Sequence, residues 1–324
     1  MDYLSLIRCP VEADLSRYMQ FFEEALTHED DFLGRALDYV KARRGKMMRP
    51  LLVLLIAKEK GAICDATLRS AVTLELLHTA SLVHDDVVDE SDERRGQAST
   101  KAVFGNKIAV LVGDYLLSEA LHQSVLTNNL SCVDIIARLG GTLAEGEVFQ
   151  LANIRNACSS EESYYSVIRR KTAELFASCA RLGAITAGAD EAFVAGARDF
   201  GLNVGMCFQI RDDIFDYDDG GNIGKPTGND MLEGKLTLPV LYALQTTDNA
   251  AVHALADRVK SGEADRADIS RLVEFTKQNG GIDYARQVME DYRGKALRYL
   301  ALFSNESIRH SLELYLDFVI GRKI

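Results

Sequence analysis

Proline is rare in this chain, and apolar residues recur three and four positions apart along most of its length. The 324 residues contain four prolines, at positions 10, 50, 226 and 239. Proline breaks the interior of a helix, and spacings of three and four place apolar side chains on one helical face. The pattern therefore predicts an all-α protein. Long helices with short connections form a bundle, whose sites are built in its interior from side chains on facing helices.

The predicted helices are long and follow each other closely. Their approximate bounds are residues 11–26, 50–60, 65–90, 107–126, 130–156, 161–186, 190–217, 237–260, 266–278, 281–303 and 306–320. No internal repeat or interdomain linker interrupts the series, and a hydrophobic content of 47% suffices for one large core. A single domain over residues 1–324 is therefore predicted.

Charge and composition exclude several classes of function. The formal net charge of -11 argues against nucleic-acid binding, because proteins that bind phosphate backbones carry basic patches. The six cysteines form no Cys-x-x-Cys pair and no cluster with histidine, so we expect reduced core thiols instead of a zinc site or disulfides. The first twenty residues lack the pattern of a signal peptide, and no apolar run reaches 18 residues. A cytoplasmic protein without a transmembrane helix is expected.

Two copies of one acidic pattern end predicted helices. The sequence DDVVD covers residues 85–89, and DDIFD covers residues 212–216. On a helix the first and fifth residues of each copy lie one turn apart on the same face. These residues are Asp85, Asp89, Asp212 and Asp216. Carboxylates so placed repel each other unless a cation lies between them, and oxygen ligands suit Mg²⁺, which also takes substrate phosphates. The pattern predicts a phosphorylated ligand held through magnesium; a solvated acidic face is the alternative.

Basic residues accompany these motifs. The sequence RGKMMRP at residues 44–50 sets three cations before an apolar helix, where backbone amides and the helix dipole favour an anion. Arg94 and Arg95 follow the first acidic motif, and arginine matches phosphate oxygens in a bidentate geometry. His78 lies two turns before that motif and could donate to a phosphate, although a buried structural histidine is the alternative. We interpret His84 as structural.

A glycine-rich loop is predicted at residues 217–237, directly after the second acidic motif. It contains Lys225 and Lys235 among its glycines. Lysines in a flexible segment beside a metal site predict a flap that closes over phosphate oxygens. A plain solvent-exposed connection is the alternative.

Several separated motifs agree in order and spacing with one known family. From about residue 40 to about residue 240 they are Lys46 and Arg49, residues 78–84, Arg94-Arg95-Gly96, Gly113-Asp114, Lys171-Thr172, Phe208-Gln209 and Gly224-Lys225. Together they resemble the trans-isoprenyl diphosphate synthase (polyprenyl synthetase) family, and most of all its long-chain, octaprenyl-type members. Arg44 stands where the family more often has a second glycine, and Met47-Met48 replace the usual interior of that motif. These departures affect the expected shape of one phosphate pocket.

The resemblance implies a bundle of long helices around a central active-site cavity, and a head-to-tail condensation. An allylic diphosphate, farnesyl or geranylgeranyl diphosphate, ionises; isopentenyl diphosphate attacks the carbocation; and a proton is lost, taken up by the released pyrophosphate. The resemblance also implies isoprenoid diphosphates as substrates, a homodimer, and transient contact with a membrane when the product leaves.

The resemblance further implies a role for individual residues. The catalytic residues would be Asp85, Asp89, Lys171, Thr172, Gln209 and Asp212. Three Mg²⁺ ions would be held by Asp85, Asp89, Asp212 and Asp216. The diphosphate of isopentenyl diphosphate would be bound by Lys46, Arg49, His78 and Arg95. The allylic substrate would be bound by Arg94, Lys171, Thr172, Gln209, Lys225 and Lys235.

Product length is expected to depend on the helix that ends in the first acidic motif, which would form the wall of a tunnel. Ser81 and Ala80 lie four and five residues before Asp85, and Leu77 and Leu74 lie deeper on that face. The eleven residues from Asp85 back to Leu74 span about 16 Å. In the family, bulky aromatic residues at the first two positions stop the product short. Both are small here, which predicts a heptaprenyl to decaprenyl product for quinone side chains; close helix packing is the alternative explanation.

Three other functions compete with this prediction. A short-chain synthase making farnesyl or geranylgeranyl diphosphate would differ in the tunnel floor. A class I terpene cyclase shares an aspartate motif and an all-α fold, but the second motif here repeats aspartates after Phe208-Gln209 and is no Asn/Ser/Glu triad. A non-catalytic subunit of a heteromeric synthase would lose aspartates, and this chain keeps all six.

Overall fold

The fold is all-α, as the sequence predicts. A computed structural model describes residues 3–43, 45–94, 96–155, 160–217 and 227–321. In these residues the strands are confined to one antiparallel pair of two-residue strands, β1 (Glu93–Arg94) and β2 (Gln97–Ala98). The chain forms two compact units. The predicted single domain stays a prediction.

The first unit comprises residues 1–140, 176–198 and 300–315. It contains β1, β2, short 3-10 turns at Cys9–Val11 and Leu300–Leu302, and the helices α1 (Tyr3–Arg8), α2 (Glu12–Ala25), α3 (Asp31–Lys41), α4 (Met48–Lys58), α5 (Asp65–Val88), α6 (Thr100–Phe104) and α7 (Asn106–Val125). Four further helices belong partly to this unit and partly to the second: α8 (Leu130–Arg155), α10 (Glu174–Thr186), α11 (Glu191–Phe215) and α17 (Glu306–Gly321).

Helix α4 forms the centre of the first core. All its residues from Leu51 to Ala57 are buried, as expected for a helix that is apolar on every side. Pro50 lies in its first turn, where backbone N–H groups have no partner within the helix, so proline costs no hydrogen bond there. Helix α5 packs against α4 and α7.

The first acidic motif lies at the end of α5. Asp89 is the C-cap residue, and its N–H donates to the carbonyl of Asp85 at 2.8 Å. Glu90 adopts a left-handed conformation (φ 51°), and the N–H of Ser91 donates back to the carbonyl of Asp86 at 2.9 Å. The bond from Ser91 is that of a Schellman motif, which usually employs glycine at the left-handed position. The helix therefore ends within the motif, immediately before its fifth residue.

The second unit comprises residues 141–175, 199–299 and 316–324. It contains α9 (Glu161–Ile168), a π-helical segment (Arg169–Ala173), α12 (Asn229–Leu232), α13 (Leu238–Gln245), α14 (Ala250–Lys260), α15 (Arg266–Gln278) and α16 (Gly281–Tyr299). Part of its core is formed by Tyr217, Met231, Val240, Ile269 and Leu272, which are all buried.

Several predicted helix bounds are wrong. The predicted helix at 237–260 is two helices, because the polar residues 246–249 end α13 and the Asn249 side chain caps α14 by accepting the N–H of Ala251. The predicted helix at 161–186 contains the π-helical segment. The sequence prediction missed α3, although Asp30 caps it by accepting the N–H groups of Phe32 and Leu33. Helix α12 lies in the predicted loop, of which residues 218–226, including Lys225, are outside the described residues.

Among the residues that the structure describes, no helix is both long enough and apolar enough to cross a bilayer.

The cysteines differ in exposure more than the sequence suggested. Cys132, Cys179 and Cys207 are buried, as predicted for core thiols. Cys9, in a 3-10 turn, and Cys64, the N-cap of α5, are exposed. For these two residues the prediction of core thiols is wrong. Cys158 is outside the described residues.

Alkylation should separate the two groups of thiols. With iodoacetamide at about pH 8, we expect Cys9 and Cys64 of the folded protein to react, since the reactive thiolate forms readily only where water reaches the sulfur. Burial raises the pKa of Cys207 to about 12, so this thiol should react only after unfolding in urea. Peptide mass spectrometry measures the alkylation of each cysteine in the folded and in the unfolded protein. Labelling of Cys207 in the folded protein as fast as that of Cys64 would contradict the described burial.

Candidate functional site

In the first acidic motif the middle aspartate differs from the outer two. Asp86 is 3% exposed, and its Oδ1 accepts the Nε–H of Arg94 at 2.6 Å. Burial raises the pKa of Asp86, and the hydrogen bond from Arg94 offsets part of that rise. Asp85 is half-buried and Asp89 is exposed. The outer carboxylates are therefore the ones placed to receive a ligand from solvent, while Asp86 holds Arg94.

The hairpin that carries Arg94 is braced by a helix that the sequence prediction missed. The Tyr39 hydroxyl of α3 donates to the carbonyl of Ala98 at 2.9 Å, and Arg43 Nε donates to Gln97 Oε1 at 3.1 Å. The Arg43 guanidinium also lies 3.5 Å from the centre of the Tyr39 ring. These contacts fix β2 and, through its pairing with β1, the position of Arg94. Arg95 and Arg44 lie outside the described residues.

The segment before α4 that is predicted to bind phosphate contains a residue in the left-handed backbone conformation. Met47 has φ 55°, a conformation that non-glycine residues seldom adopt and that clusters at functional sites. Lys46 is exposed, and its carbonyl accepts an N–H from Arg8 at 3.0 Å. Arg49 is half-buried with its guanidinium 5.2 Å from the centre of the Phe176 ring. The turn at Met47 thus separates an exposed ammonium from a guanidinium supported by an aromatic ring.

The two histidines of α5 have different surroundings. His78 is half-buried. His84 packs against Gly113 of α7, with Nε2 3.2 Å from the carbonyl oxygen of Val110 and 3.3 Å from Asp114 Oδ1. His84 therefore joins α5 to α7, one residue before the first acidic motif.

The four residues predicted to set product length lie on α5. Leu74, Leu77 and Ala80 are buried, and Ser81 is half-buried with its hydroxyl donating to the carbonyl of His78 at 2.9 Å. Since α5 packs against α4 and α7, the small side chain of Ala80 also fits the alternative of close helix packing. The tunnel stays a prediction.

The second acidic motif repeats the division between middle and outer aspartates. Asp213 is 4% exposed and accepts two hydrogen bonds, from the Tyr164 hydroxyl at 2.6 Å and from Gln209 Nε2 at 2.9 Å. Burial raises the pKa of Asp213 to about 7, although both hydrogen bonds lower it. Asp212 and Asp216 are half-buried. Here too the middle carboxylate holds neighbouring side chains and the outer two are more accessible.

Asp216 also organises the chain beyond the motif. Its two carboxylate oxygens accept the backbone N–H groups of Asn229 at 2.9 Å and Asp230 at 3.1 Å, at the start of α12. Carboxylates at helix N-termini satisfy N–H groups that the helix itself leaves unpaired. Asp216 therefore has a structural contact that the sequence did not indicate, in addition to its predicted role as a metal ligand.

Lys171 and Thr172 lie in the π-helical segment. Lys171 Nζ donates to Gln150 Oε1 at 2.9 Å and forms an ion pair with Glu147, both on α8. The Thr172 hydroxyl donates to Gln209 Oε1 at 2.7 Å. A π-helical turn inside a helix is rare and is frequent at functional sites. It places adjacent side chains of one segment against two different helices.

Two glycines allow helices to approach this segment. A Cβ on Gly205 of α11 would lie 2.5 Å from the Cα of Ala173, and a Cβ on Gly146 of α8 would lie 2.9 Å from the Cβ of Arg170. Neither distance is possible for real atoms. The Thr172–Gln209 hydrogen bond therefore depends on the absence of a side chain one turn earlier on α11.

A cavity of about 200 Å³ in the second unit collects many of these side chains. Four lining residues are predicted site residues: Lys171, Thr172, Gln209 and Lys235. The other titratable side chains that line the cavity were not predicted as site residues: Tyr164, Asp213, Asp230 and Lys260. Removal from water and the neighbouring carboxylates of Asp213 and Asp216 raise the pKa of Asp230 well above its usual value. Lys235 is paired with Glu233, and Lys260 with Asp257.

The acidic residues fit a metal that takes only part of its ligands from protein. Among the residues that the structure describes, no group of three or more aspartate, glutamate, histidine or cysteine side chains converges closely enough to hold an ion. Mg²⁺ commonly binds through one or two carboxylates, waters and substrate phosphates. Outer aspartates in pairs suit that mode and do not suit a closed protein site for zinc or calcium.

The close approach at Gly205 can be tested by unfolding. Gly205→Ala should lower the free energy of unfolding by about 1–3 kcal/mol, because the new methyl group must push α11 away from the π-helical segment. Gly294→Ala is the matched control, since Gly294 lies inside α16 with no atom within 4 Å of an added Cβ. It should be neutral or stabilise by up to about 1 kcal/mol. Equal effects of the two substitutions in urea titrations would contradict the described approach.

Comparisons with known proteins give a consistent result. Residues 30–276 match the family model described as polyprenyl synthetase. The octaprenyl diphosphate synthase of Escherichia coli (strain K12) is 34% identical over 290 residues, which are 89% of this chain and 90% of that protein. A solved geranylgeranyl pyrophosphate synthase from Bacteroides thetaiotaomicron is 49% identical, with a TM-score of 0.88 over 99% of this chain and 100% of that chain. A polyprenyl synthase from Caulobacter crescentus CB15, solved with calcium and isoprenyl diphosphate, is 34% identical, with a TM-score of 0.92 over 99% of this chain and 98% of that chain.

Proposed function

The chain belongs to the polyprenyl synthetase family, and from this premise we propose that it is a Mg²⁺-dependent prenyltransferase with a long-chain product. It extends an allylic diphosphate, farnesyl or geranylgeranyl diphosphate, with successive isopentenyl diphosphates to an all-trans polyprenyl diphosphate of octaprenyl-like length, used for quinone side chains. The observation that carries the proposal is the repeated acidic motif, whose middle aspartate is buried and hydrogen-bonded while its outer aspartates are more accessible.

The outer aspartates are the proposed metal ligands. Three Mg²⁺ ions would be held by Asp85, Asp89, Asp212 and Asp216 together with substrate oxygens. When bound, these ions neutralise the charge that develops on the departing diphosphate. The Caulobacter crescentus relative was solved with calcium and isoprenyl diphosphate, which supports a hard divalent cation and a diphosphate as ligands of this chain.

The basic residues are proposed to bind the two diphosphates directly. Lys46, Arg49, His78 and Arg95 would bind isopentenyl diphosphate, and Arg94, Lys171, Lys225 and Lys235 the allylic diphosphate. Lys171 and Lys235 are each paired with a glutamate, Glu147 and Glu233. Their ammonium groups would therefore exchange a carboxylate for phosphate oxygens when substrate binds, so neither half-buried cation lacks a counter-charge in the empty enzyme.

Thr172 and Gln209 are proposed to stabilise the allylic carbocation. Both line the cavity of the second unit, and both carry neutral oxygen atoms. Such oxygens offer lone pairs to a cation without the nucleophilic attack that a carboxylate could make. The released pyrophosphate would accept the proton, so the protein need supply no base.

The reaction is tested directly by product analysis. Purified protein with farnesyl diphosphate, isopentenyl diphosphate and Mg²⁺ should give a polyprenol of seven or more isoprene units after dephosphorylation, identified by mass spectrometry. EDTA should abolish the product. Asp85→Ala and Asp212→Ala should each lower kcat by about 100- to 1000-fold, because each removes a ligand of the charge-neutralising metal.

Asp283→Ala is the matched control for these variants. Asp283 is an aspartate of α16 with its side chain 84% exposed, and its removal should leave kcat within about twofold. A cyclic hydrocarbon, or no product from folded wild-type protein, would overturn the proposed function.

A short-chain product is the second candidate. The 49% identity to a geranylgeranyl pyrophosphate synthase favours it. A metal-dependent product of three or four isoprene units would establish this candidate. The proposed condensation reaction would stand, and only the proposed product length would be wrong.

Substitutions on α5 test what sets the product length. If α5 forms the tunnel wall, Ala80→Phe and Ser81→Phe should shorten the product, because a phenyl ring would occupy space that the growing chain needs. Ala66→Phe, the same change at the other end of α5, should leave product length unchanged. Product lengths are compared by mass spectrometry, and circular dichroism confirms that each variant folds. An unchanged length for a folded Ala80→Phe variant would show that α5 does not limit the product.

A homodimer is proposed from the exposed apolar residues of the first unit. On α7, Leu111, Leu121 and Val125 are 61%, 42% and 58% exposed and lie on one side of the helix, and Leu130 at the start of α8 is 86% exposed. Exposed apolar groups of this kind mark contact surfaces. A second copy of the chain is the proposed partner, and transient membrane contact is proposed for release of the lipid product.

A further inference from the structure

Four side chains from three helical elements form a continuous hydrogen-bonded chain in the second unit. Tyr164 on α9 donates to Asp213 Oδ2 at 2.6 Å, Gln209 Nε2 on α11 donates to Asp213 Oδ1 at 2.9 Å, and the Thr172 hydroxyl donates to Gln209 Oε1 at 2.7 Å. All four residues line the cavity. Tyr164 and Asp213 are 7% and 4% exposed, so solvent competes little for their bonds.

The direction of the bonds in this chain follows from the orientation of the Gln209 amide. Its Nε2, which can only donate, lies 2.9 Å from Asp213 Oδ1, and its Oε1, which can only accept, lies 2.7 Å from the Thr172 hydroxyl. The Gln209 NH₂ group is thereby turned toward Asp213, and its carbonyl oxygen toward Thr172. Thr172 must then donate its hydroxyl hydrogen to Gln209, which leaves the lone pairs of the Thr172 oxygen for the cavity.

This polarity matters for a site in which a carbocation forms. Oxygen lone pairs stabilise a nearby positive charge, whereas N–H and O–H hydrogens repel it. If the Gln209 amide were flipped, its NH₂ group would face Thr172. The Thr172 hydroxyl hydrogen would then lose its acceptor and could point into the cavity. Oriented dipoles are effective in catalysis when the fold fixes them before the reaction begins.

We propose that Tyr164 and Asp213 are positioning residues, which lock the Gln209 amide so that the oxygens of Thr172 and Gln209 face the reacting carbon. The inference rests on the function proposed above and adds to it two residues that touch neither substrate nor metal in that proposal. Asp213 sets the polarity of the chain, and Tyr164 fixes the rotation of the Asp213 carboxylate.

A double-mutant cycle separates positioning from a merely structural role. Tyr164→Phe should lower kcat about tenfold and leave the KM for isopentenyl diphosphate within about twofold. If Tyr164 acts through Gln209, the same substitution should change kcat less than about twofold in a Gln209→Ala background. If Tyr164→Phe acted only through a packing defect, kcat would fall by the same factor in the wild-type and in the Gln209→Ala background.

Neighbouring and conservative variants serve as controls. Tyr165→Phe removes a hydroxyl from the adjacent ring, 5.4 Å from Tyr164 between centres, whose hydrogen-bond partner is Tyr284, and it should keep kcat within about twofold. Asp213→Asn can accept from Gln209 at its oxygen and donate its NH₂ to Tyr164, so it should retain at least about tenfold more activity than Asp213→Ala. Melting temperatures show which variants fold.

The outcomes distinguish this inference from the proposed function. Wild-type protein that makes no prenyl diphosphate overturns the proposed function and the inference together. Active wild-type protein overturns the inference alone if Tyr164→Phe is fully active, or if it costs the same factor with and without Gln209. A loss of kcat on Tyr164→Phe that occurs when Gln209 is present and disappears in the Gln209→Ala background supports the inference.

Discussion

The burial of one carboxylate in each acidic motif is the constraint on which the arrangement of the site depends. A buried carboxylate is costly unless donors compensate its charge. Asp86 obtains its donor from Arg94, and Asp213 from Tyr164 and Gln209. Satisfying the carboxylate therefore brings a cation or an amide beside the motif in a fixed orientation. In the proposed function, each acidic motif would thus position residues that bind the substrate directly as well as supply metal ligands.

The same requirement explains why distant elements converge on the motifs. Arg94 can serve Asp86 only because its hairpin is held, and the hairpin is held by Tyr39 of α3 and by Arg43, which follows that helix. In the second unit, Thr172 reaches Gln209 only because Gly205 lets α11 approach the π-helical segment. In both units the position of a polar group near the motif depends on packing one or two contacts away. Errors in that packing would displace the polar groups even if every proposed ligand remained.

The sequence predicted the all-α fold because helices depend on local spacing, and the same kind of spacing singled out the outer aspartates, whose role as metal ligands stays a prediction. Apolar residues at three and four positions indicate helices, and residues one turn apart share a helical face. The partner of Asp213 could not be predicted in this way, because Tyr164 lies 49 residues earlier and a lone tyrosine in a helix has no distinctive pattern. The π-helical segment also lacks a sequence signature. Helix α3 was missed although Asp30 gives a recognisable capping signal, so that omission lay in the interpretation and not in the sequence.

The pairing of the lysines adds a last condition on how an acidic protein binds a diphosphate. With a net charge of -11 the chain has no general attraction for anions, so affinity must arise locally. Lys171 and Lys235 are already neutralised by Glu147 and Glu233, and a diphosphate that displaces those glutamates gains only the difference between two ion pairs. Direct contacts with lysine would therefore give selectivity and orientation more than net affinity. In the proposed function the larger gain would come from cations bound beside the outer aspartates, because the repulsion between these aspartates would be relieved at the same time as the phosphate charge is neutralised. Metal and substrate should consequently bind as one unit, each weakly without the other.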